Sequence, residues 1–228
     1  MVAKHAVLAG ASGLVGDRCL ARLLDHPAYD RVTVLSRRPL ALSHAKLHIE
    51  LVDFDGLQSL GERCDDIFCC LGTTIKKAGS KEAFRRVDHD YPLAIARLGK
   101  AAGAQQFLLV SALGADAQSS VFYNRVKGET ERDTAAIGLQ KVIFMRPSIL
   151  LGERHEQRPG ERAGIFVGKL IAPLLLGPLR KYRPIHADDV AAAMLYAANH
   201  DIRPGSVDSD EIARLAQREH SGKMKKAA

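Results

Sequence analysis

Two side chains that could carry out proton transfer lie one helical turn apart in the middle of the chain. Tyr123 and Lys127 are four residues apart in a segment of helical character, so both project from the same face of one helix. A phenol has an ordinary pKa near ~10, and a neighbouring ammonium group stabilises the phenolate. The pair therefore indicates a tyrosine that acts as a general acid or base near neutral pH.

A serine precedes this pair at the end of an apolar run. Ser111 follows Val110 and stands twelve residues before Tyr123, and a hydroxyl at a strand end can hold a substrate oxygen by a hydrogen bond. Tyrosine and lysine at this spacing are common on helix surfaces, so a solvated helix face is the alternative interpretation of the pair alone. The serine, together with a glycine motif near the amino terminus, favours catalysis.

The glycine motif indicates a dinucleotide site. Apolar residues 6–9 predict a buried strand, and Gly10, Gly13 and Gly16 follow before an amphipathic run begins. The glycines permit a tight turn, let a pyrophosphate approach the backbone and let the helix pack on the strand, while the helix N-terminus favours phosphate. An ordinary strand–turn–helix with small residues is the alternative. The predicted contacts are Gly10, Ser12, Gly13, Leu14, Val15 and Gly16.

The end of the second predicted strand favours NADP(H) over NAD(H). An NAD-preferring site usually has an acidic residue near this position, which binds the ribose 2′-hydroxyl. The sequence instead has Ser36, Arg37 and Arg38, twenty residues after Gly16. The two guanidinium groups could pair with a 2′-phosphate, and a solvated basic turn is the alternative interpretation.

Strand-like and helix-like segments alternate through residue 152, which predicts an α/β fold with a doubly wound parallel sheet of the Rossmann type. Ligands bind at the carboxyl ends of such strands, so the end of the fourth strand is predicted to contact the cofactor through Cys70, Leu71, Gly72 and Thr73. The predicted strands are 5–9, 31–35, 47–52, 66–71, 106–111 and 141–146, and the predicted helices are 14–26, 80–102, 119–137 and 187–199. Pro92 predicts a kink or break in the second helix.

Length and composition predict one NAD(P)-binding domain, 1–228, with small substrate-cap or tail elements at 153–186 and 201–228. The net charge of +7 suits anionic small molecules as well as nucleic acid, but 5% aromatic residues and the lack of a recognition-helix signature argue against nucleic acid. The four cysteines lack metal-ligand spacing, so no metal is predicted.

One long apolar run, 164–177, is interrupted by Lys169 and Pro173 and is too short for stable membrane insertion. It could cover an apolar substrate, pack a homodimer or touch a membrane surface. The lack of a signal peptide predicts a cytoplasmic protein.

The glycine spacing of residues 10–16, Ser111 and the YxxxK of residues 123–127 resemble the short-chain dehydrogenase/reductase family over residues 5 to about 200. The subgroup it resembles is the atypical one similar to the Tat-interacting tumour-suppressor-type proteins. The resemblance implies a catalytic triad of Ser111, Tyr123 and Lys127, with Asp88 in place of an asparagine that holds a proton-relay water in many members. An ionised carboxylate cannot donate as an amide does, and a solvated helix acid is the alternative for Asp88.

Further site residues follow from this resemblance. It implies that Asp53 accepts the adenine amino group, that Phe54 lies against the adenine ring, and that Pro147 and Ile149 line the nicotinamide pocket. The implied function is NADP(H)-dependent hydride transfer to or from a small-molecule carbonyl or alcohol substrate. Two alternatives stay open: an NADPH-binding regulatory protein with little or no turnover, and a nucleotide-sugar epimerase or dehydratase, which the short C-terminal part disfavours.

Overall fold

Seven parallel strands form the central sheet of the protein. The computed structural model describes residues 3–152 and 177–227, and within them the strand order is β3-β2-β1-β4-β5-β6-β9, with two further strands, β7 and β8, paired in a separate small sheet. The strands are β1 (Lys4–Ala9), β2 (Tyr29–Ser36), β3 (Leu47–Leu51), β4 (Asp66–Cys69), β5 (Gln106–Val110), β6 (Lys141–Arg146), β7 (Leu150–Leu151), β8 (Ile185–His186) and β9 (Gly205–Asp208).

Helices cover both faces of this sheet, because alternate strand residues bury apolar side chains on opposite sides. Helix α1 and the helices near the carboxyl terminus pack on one face, where Leu8 and Val34 lie, and α4 packs on the other, where Val7 and Ile67 lie. The helices are α1 (Leu14–Asp25), α2 (Ile75–Ala78), α3 (Lys81–Arg85), α4 (Tyr91–Ala101), α5 (Phe122–Ala135), α6 (Ala187–Asn199) and α7 (Ser209–Ala227), with a π-helical turn over Arg86–Asp90 and a 3₁₀ helix over Gly177–Tyr182.

The predicted fold class is confirmed, and two regions differ from the sequence prediction. The predicted helix 80–102 is divided into α3, the π-helical turn and α4, since Pro92 lacks an N–H group and lies at the start of α4. Residues 205–208, predicted to belong to a tail, pair with β6 as the seventh strand of the main sheet.

The predicted cap at 153–186 lies largely outside the described residues, as does all but the last residue of the apolar run 164–177. In the described part, residues 177–186 form the 3₁₀ helix and β8. A search of the described helices finds none with the length and apolar character needed to span a bilayer.

Glycine is required where the turn after β1 meets the end of β4. Gly10 has φ +88°, and a Cβ there would lie 2.6 Å from both the carbonyl carbon and the carbonyl oxygen of Cys70. A Cβ on Gly16 would lie 2.0 Å from the carbonyl oxygen of Gly10. The amino end of α1 can therefore lie this close to the sheet only because Gly10 and Gly16 have no side chains.

Replacing Gly10 by alanine is expected to destabilise the protein more than the same change at Gly79. Both residues have φ +88°, so each variant carries the left-handed strain of about 1–2 kcal/mol. Only Gly10 also has a collision with backbone, because nothing lies within 4 Å of a Cβ on Gly79. Urea unfolding should show a further loss of about 1–3 kcal/mol for Gly10→Ala. Equal losses in the two variants would contradict this account of the turn.

Candidate active site

The turn of residues 10–16 presents the open end of α1. Gly13 is the N-cap residue and provides no side-chain acceptor, so the first-turn N–H groups of α1 have no side-chain cap. The carboxyl end of β4 lies directly beside this turn, with Cys70 against Gly10. Uncapped backbone donors and the positive end of a helix dipole therefore lie at this glycine turn, and this combination suits a phosphate group.

A buried ion pair lies next to this turn. The Nζ atom of Lys127 is 2.8 Å from Oδ1 of Asp88, and the two residues are only 6% and 1% exposed. Burial, the largest single influence, would lower the pKa of Lys127, but the interactions with its neighbours, chiefly Asp88 and Tyr123, together outweigh burial and raise the pKa to about 12. Lys127 is therefore a permanent cation in a poorly solvated position near Tyr123, with which it interacts electrostatically.

The end of β4 joins the glycine turn to this ion pair. The backbone N–H of Thr73 donates to Oδ2 of Asp88 at 2.9 Å. A Cβ on Gly72 would lie 3.5 Å from Oδ1 of Asp88 and 3.9 Å from Nζ of Lys127. The structure thus brings the predicted glycine turn, the predicted β4 segment and the predicted Tyr–Lys helix into one continuous region.

The segment that carries Asp88 is fixed along α5. The π-helical turn makes one irregular turn between α3 and α4, and irregular turns of this kind are frequent at functional sites. Three polar contacts hold the segment: Arg85 pairs with Glu129, the hydroxyl of Thr130 donates to the carbonyl of Asp88 at 2.9 Å, and Nε2 of His89 lies 2.9 Å from the carboxylate of Asp133. Asp88 is therefore held in place by its neighbours as well as by Lys127.

The Ser111 hydroxyl, predicted to hold a substrate oxygen, has a partner within the protein. Ser111 is 5% exposed, and its hydroxyl donates to Oε1 of Glu131, which also accepts from Nε of Arg146 at 2.9 Å. Glu131 lies eight residues after Tyr123, about 12 Å along the helix axis at 1.5 Å per residue. The hydroxyl predicted to orient the substrate thus donates to a side chain about two helical turns beyond Tyr123 on α5.

The residues predicted to select the cofactor lie at the end of β2. The Ser36 hydroxyl donates to the carbonyl of Arg38 at 2.7 Å and accepts from its N–H at 3.2 Å, so the serine shapes the turn. The side chains of Arg37 and Arg38 are exposed.

Two further groups of predicted contacts have structural partners of their own. Asp53 accepts from the N–H of Asp55 at 3.1 Å, and the ring of Phe54, 7% exposed, stacks on Tyr91 with centroids 5.3 Å apart. This leaves little of the Phe54 ring for an adenine. The carbonyl of Pro147 accepts from Leu113 N at 3.0 Å, while the Ile149 side chain is 48% exposed.

The profile of the NAD dependent epimerase/dehydratase family matches residues 6–208. The chain belongs to this family. Two relatives confirm the predicted resemblance to the atypical members of the short-chain dehydrogenase/reductase superfamily. Protein HTATIP2 of Rattus norvegicus is 40% identical over 174 residues, which cover 73% of this chain and 72% of the relative. Protein FMP52, mitochondrial, of Eremothecium gossypii is 31% identical over 223 residues, 95% of this chain and 99% of the relative.

Solved structures share the family fold. A UDP-N-acetylglucosamine 4-epimerase from Methanobrevibacter ruminantium, in complex with UDP-N-acetylmuramic acid, has a TM-score of 0.69 and 15% identity, over 95% of this chain and 81% of that one. MoeE5 in complex with UDP-glucose and NAD has a TM-score of 0.65 and 17% identity, over 94% and 81%. At identities of 15% and 17%, these similarities show a shared fold and no more than that.

The prediction of a cytoplasmic location is wrong by these comparisons. Relatives that match almost the whole chain are named mitochondrial, among them FMP52 of Eremothecium gossypii and fmp52 of Aspergillus fumigatus, the second 33% identical over 89% of this chain and 92% of the relative. The prediction rested on the lack of a signal peptide and of an apolar run long enough to span a bilayer.

Proposed function

We propose that the protein is an NADP(H)-dependent oxidoreductase that interconverts a carbonyl and an alcohol on a small molecule. The observation that carries this proposal is the buried pair of Lys127 and Asp88, 2.8 Å apart. Lys127 lies on the helix of Tyr123, and the pair lies beside Gly72, two residues after the Cys70 that contacts the glycine turn. The bound nicotinamide would supply or accept the hydride. Membership of a family of NAD-dependent enzymes supports the same class of chemistry.

In this proposal the chain controls a proton. Tyr123 gives its phenolic proton to the carbonyl oxygen during reduction and takes it back during oxidation. The ammonium of Lys127 stabilises the phenolate that forms, since a positive charge close to a phenolate favours the ionised form. Asp88 holds Lys127 in position and keeps it charged. The raised pKa of Lys127, about 12, supports this role.

The cofactor fits the residues that surround this pair. Gly10 and Gly16 let α1 begin directly against the end of β4, and α1 begins without a side-chain cap, so a pyrophosphate could lie against backbone N–H groups. The exposed Arg37 and Arg38 could bind a 2′-phosphate, and Gly72 and Thr73 would lie beside the nicotinamide ribose. Asp53, Pro147 and Ile149 are proposed contacts on the same edge of the sheet.

We expect NADPH to bind at least about tenfold more tightly than NADH. One charge-assisted hydrogen bond contributes about 1.5–3 kcal/mol, or roughly tenfold or more in Kd. Arg37→Ala and Arg38→Ala should each weaken NADPH and leave NADH within about twofold. Arg31→Ala is the control. Arg31 lies in β2 and pairs with Glu62, so its removal should leave the Kd values of NADPH and NADH unchanged. Calorimetry that gives equal affinities for both cofactors would refute the proposed preference.

A screen of carbonyl and alcohol compounds tests the reaction itself. NADPH oxidation or NADP reduction, followed at 340 nm, should be found with the wild type and lost in Tyr123→Phe. A nucleotide-sugar epimerase would convert its substrate without net change at 340 nm, so product analysis of UDP-sugars separates that alternative.

A second candidate is a cofactor-binding regulator with little turnover. The observation that favours it is the Ser111 hydroxyl, whose hydrogen atom is donated to Glu131 and so is not offered to a substrate carbonyl. Tight NADPH binding with no turnover in the screen, together with a partner that is captured only when NADPH is bound, would support this candidate over the enzyme.

A further inference from the structure

The first turn of α5 carries Tyr123 and has no side-chain cap. Helix α5 begins at Phe122, and its N-cap residue, Val121, makes no side-chain capping bond. The N-terminal turn of a helix lacks intrahelical partners for its N–H groups and is prone to fraying. The N–H of Asp116 donates to the carbonyl of Asn124 at 3.0 Å, and the guanidinium of Arg125 donates to the carbonyl of Ser119 at 2.9 Å, so the backbone of this turn is held. The position of the Tyr123 ring depends in addition on side-chain packing.

Phe84 on α3 provides that packing. Its side chain is fully buried, and its ring centroid lies 5.5 Å from that of Tyr123 and 5.8 Å from that of Phe122. Centroid distances of 4.5–7 Å are those at which aromatic rings attract each other. One phenylalanine thus contacts both aromatic residues of the first turn of α5.

Phe84 and Asp88 form a pair that matches Tyr123 and Lys127. Both pairs are four residues apart, and each member faces its chemical counterpart: ring against ring at 5.5 Å, carboxylate against ammonium at 2.8 Å. The intervening residues pass from α3 into the π-helical turn, where the polar contacts to α5 fix their position.

We propose that Phe84 is a positioning residue, which together with Asp88 sets the place of the Tyr123 ring relative to Lys127. This inference rests on the proposed function, in which Tyr123 transfers the proton. Loss of the Phe84 ring removes the surface on which the Tyr123 ring packs while the buried ion pair stays formed. Misplacement of a reacting group by about 1 Å can lower the rate by about 100-fold.

Phe84→Leu is the test, and Phe107→Leu is its matched control. Both phenylalanines are fully buried, but Phe107 lies in β5 and has no ring contact with Tyr123 among the described residues. With a substrate from the carbonyl screen, Phe84→Leu should lower kcat by about 10- to 100-fold with the KM for NADPH within about twofold. Phe107→Leu should reduce Tm similarly and leave kcat within about twofold. Phe84→Tyr, which restores an aromatic ring, should recover most of the rate.

A second measurement needs no turnover. The chain has five tyrosines and no tryptophan, so protein labelled with 3-fluorotyrosine gives few ¹⁹F signals, and Tyr123→Phe identifies one of them. In Phe84→Leu this signal should move toward the shift of free fluorotyrosine, and in Phe107→Leu it should stay in place. If the signal is unchanged in Phe84→Leu, or moves equally in both variants, the positioning role is refuted. A wild type without turnover would refute the proposed reaction, and the ¹⁹F result would still decide the role of Phe84.

Discussion

Replacement of Tyr123 by phenylalanine is expected to lower kcat by about 10²–10⁴-fold, the usual contribution of a positioned general acid. The variant loses one hydroxyl and keeps the ring that packs on Phe84, so the fold and the Lys127–Asp88 pair should persist. Affinity for NADPH should stay within a few fold, because the glycine turn, Arg37 and Arg38 are unchanged. The loss is therefore expected in the chemical step and not in cofactor binding.

Tyr196→Phe is the control for this experiment. Tyr196 lies in the last turn of α6 and stacks on His200 with centroids 3.9 Å apart, so the variant removes a phenolic hydroxyl from a side chain outside the proposed cofactor and substrate contacts. Its kcat should equal that of the wild type within about twofold. A Tyr123→Phe enzyme that retains turnover would end the assignment of Tyr123 as the acid, whatever the cofactor affinity.

Much of the fold could be predicted because the sheet is parallel and buried on both faces. Such strands appear as short apolar runs, and the predicted strand 141–146 and helix 187–199 coincide with β6 and α6. The strand at Gly205–Asp208 could not be predicted, since it has four residues and only Val207 among them is a large apolar side chain. Its place depends on pairing with β6, which is sixty residues away in the sequence.

The π-helical turn was equally inaccessible to sequence reasoning. Pro92 indicates an interruption, and its position at the start of α4 agrees with that expectation. The form of the interruption depends on tertiary contacts, such as the bond from the Thr130 hydroxyl to the carbonyl of Asp88 and the contact of His89 with Asp133. None of these contacts leaves a periodic pattern in the sequence.

In the candidate site, the sequence predicts which side chains share one face of a helix. It does not predict which side chain of another element each of them contacts. Tyr123 and Lys127 lie on one face because they are four residues apart. The direction of the Ser111 hydroxyl depends on Glu131, a buried carboxylate that also accepts a hydrogen bond from Arg146. Glu131 lies in a charged stretch of the sequence, which is typical of a solvated helix face. Buried charges of this kind escape pattern reasoning because acidic residues are rarely buried unless they are paired.

Removal of the Asp88 carboxylate should have the largest effect on stability. In Asp88→Ala the ammonium of Lys127 remains 6% exposed without its partner, and breaking a buried pair in this way lowers the free energy of unfolding by about 3–5 kcal/mol. Asp88→Asn retains the shape and an oxygen that can accept from Thr73 N–H, so it should lose less. Urea unfolding at pH 7 of the wild type and both variants measures the two losses.

The pair should also make stability depend on alkaline pH. The pKa of Lys127 in the folded protein is about 12, above the ordinary 10.5, so the folded state binds the proton more tightly than the unfolded state. This contribution is fully present below pH 10.5 and is lost as pH rises through about 12. Asp88→Asn should weaken this alkaline loss, because the charge that raises the pKa is gone.

A double variant, Asp88→Leu with Lys127→Met, separates stability from catalysis. Apolar residues of similar volume often replace a buried ion pair without loss of stability, so the double variant should unfold at a higher urea concentration than Asp88→Ala. It should nevertheless lack turnover, since no cation remains beside Tyr123. A double variant as unstable as Asp88→Ala would show that the loss comes from the packing of the π-helical turn and not from an unpaired charge. Full turnover in the double variant would remove Lys127 from the mechanism.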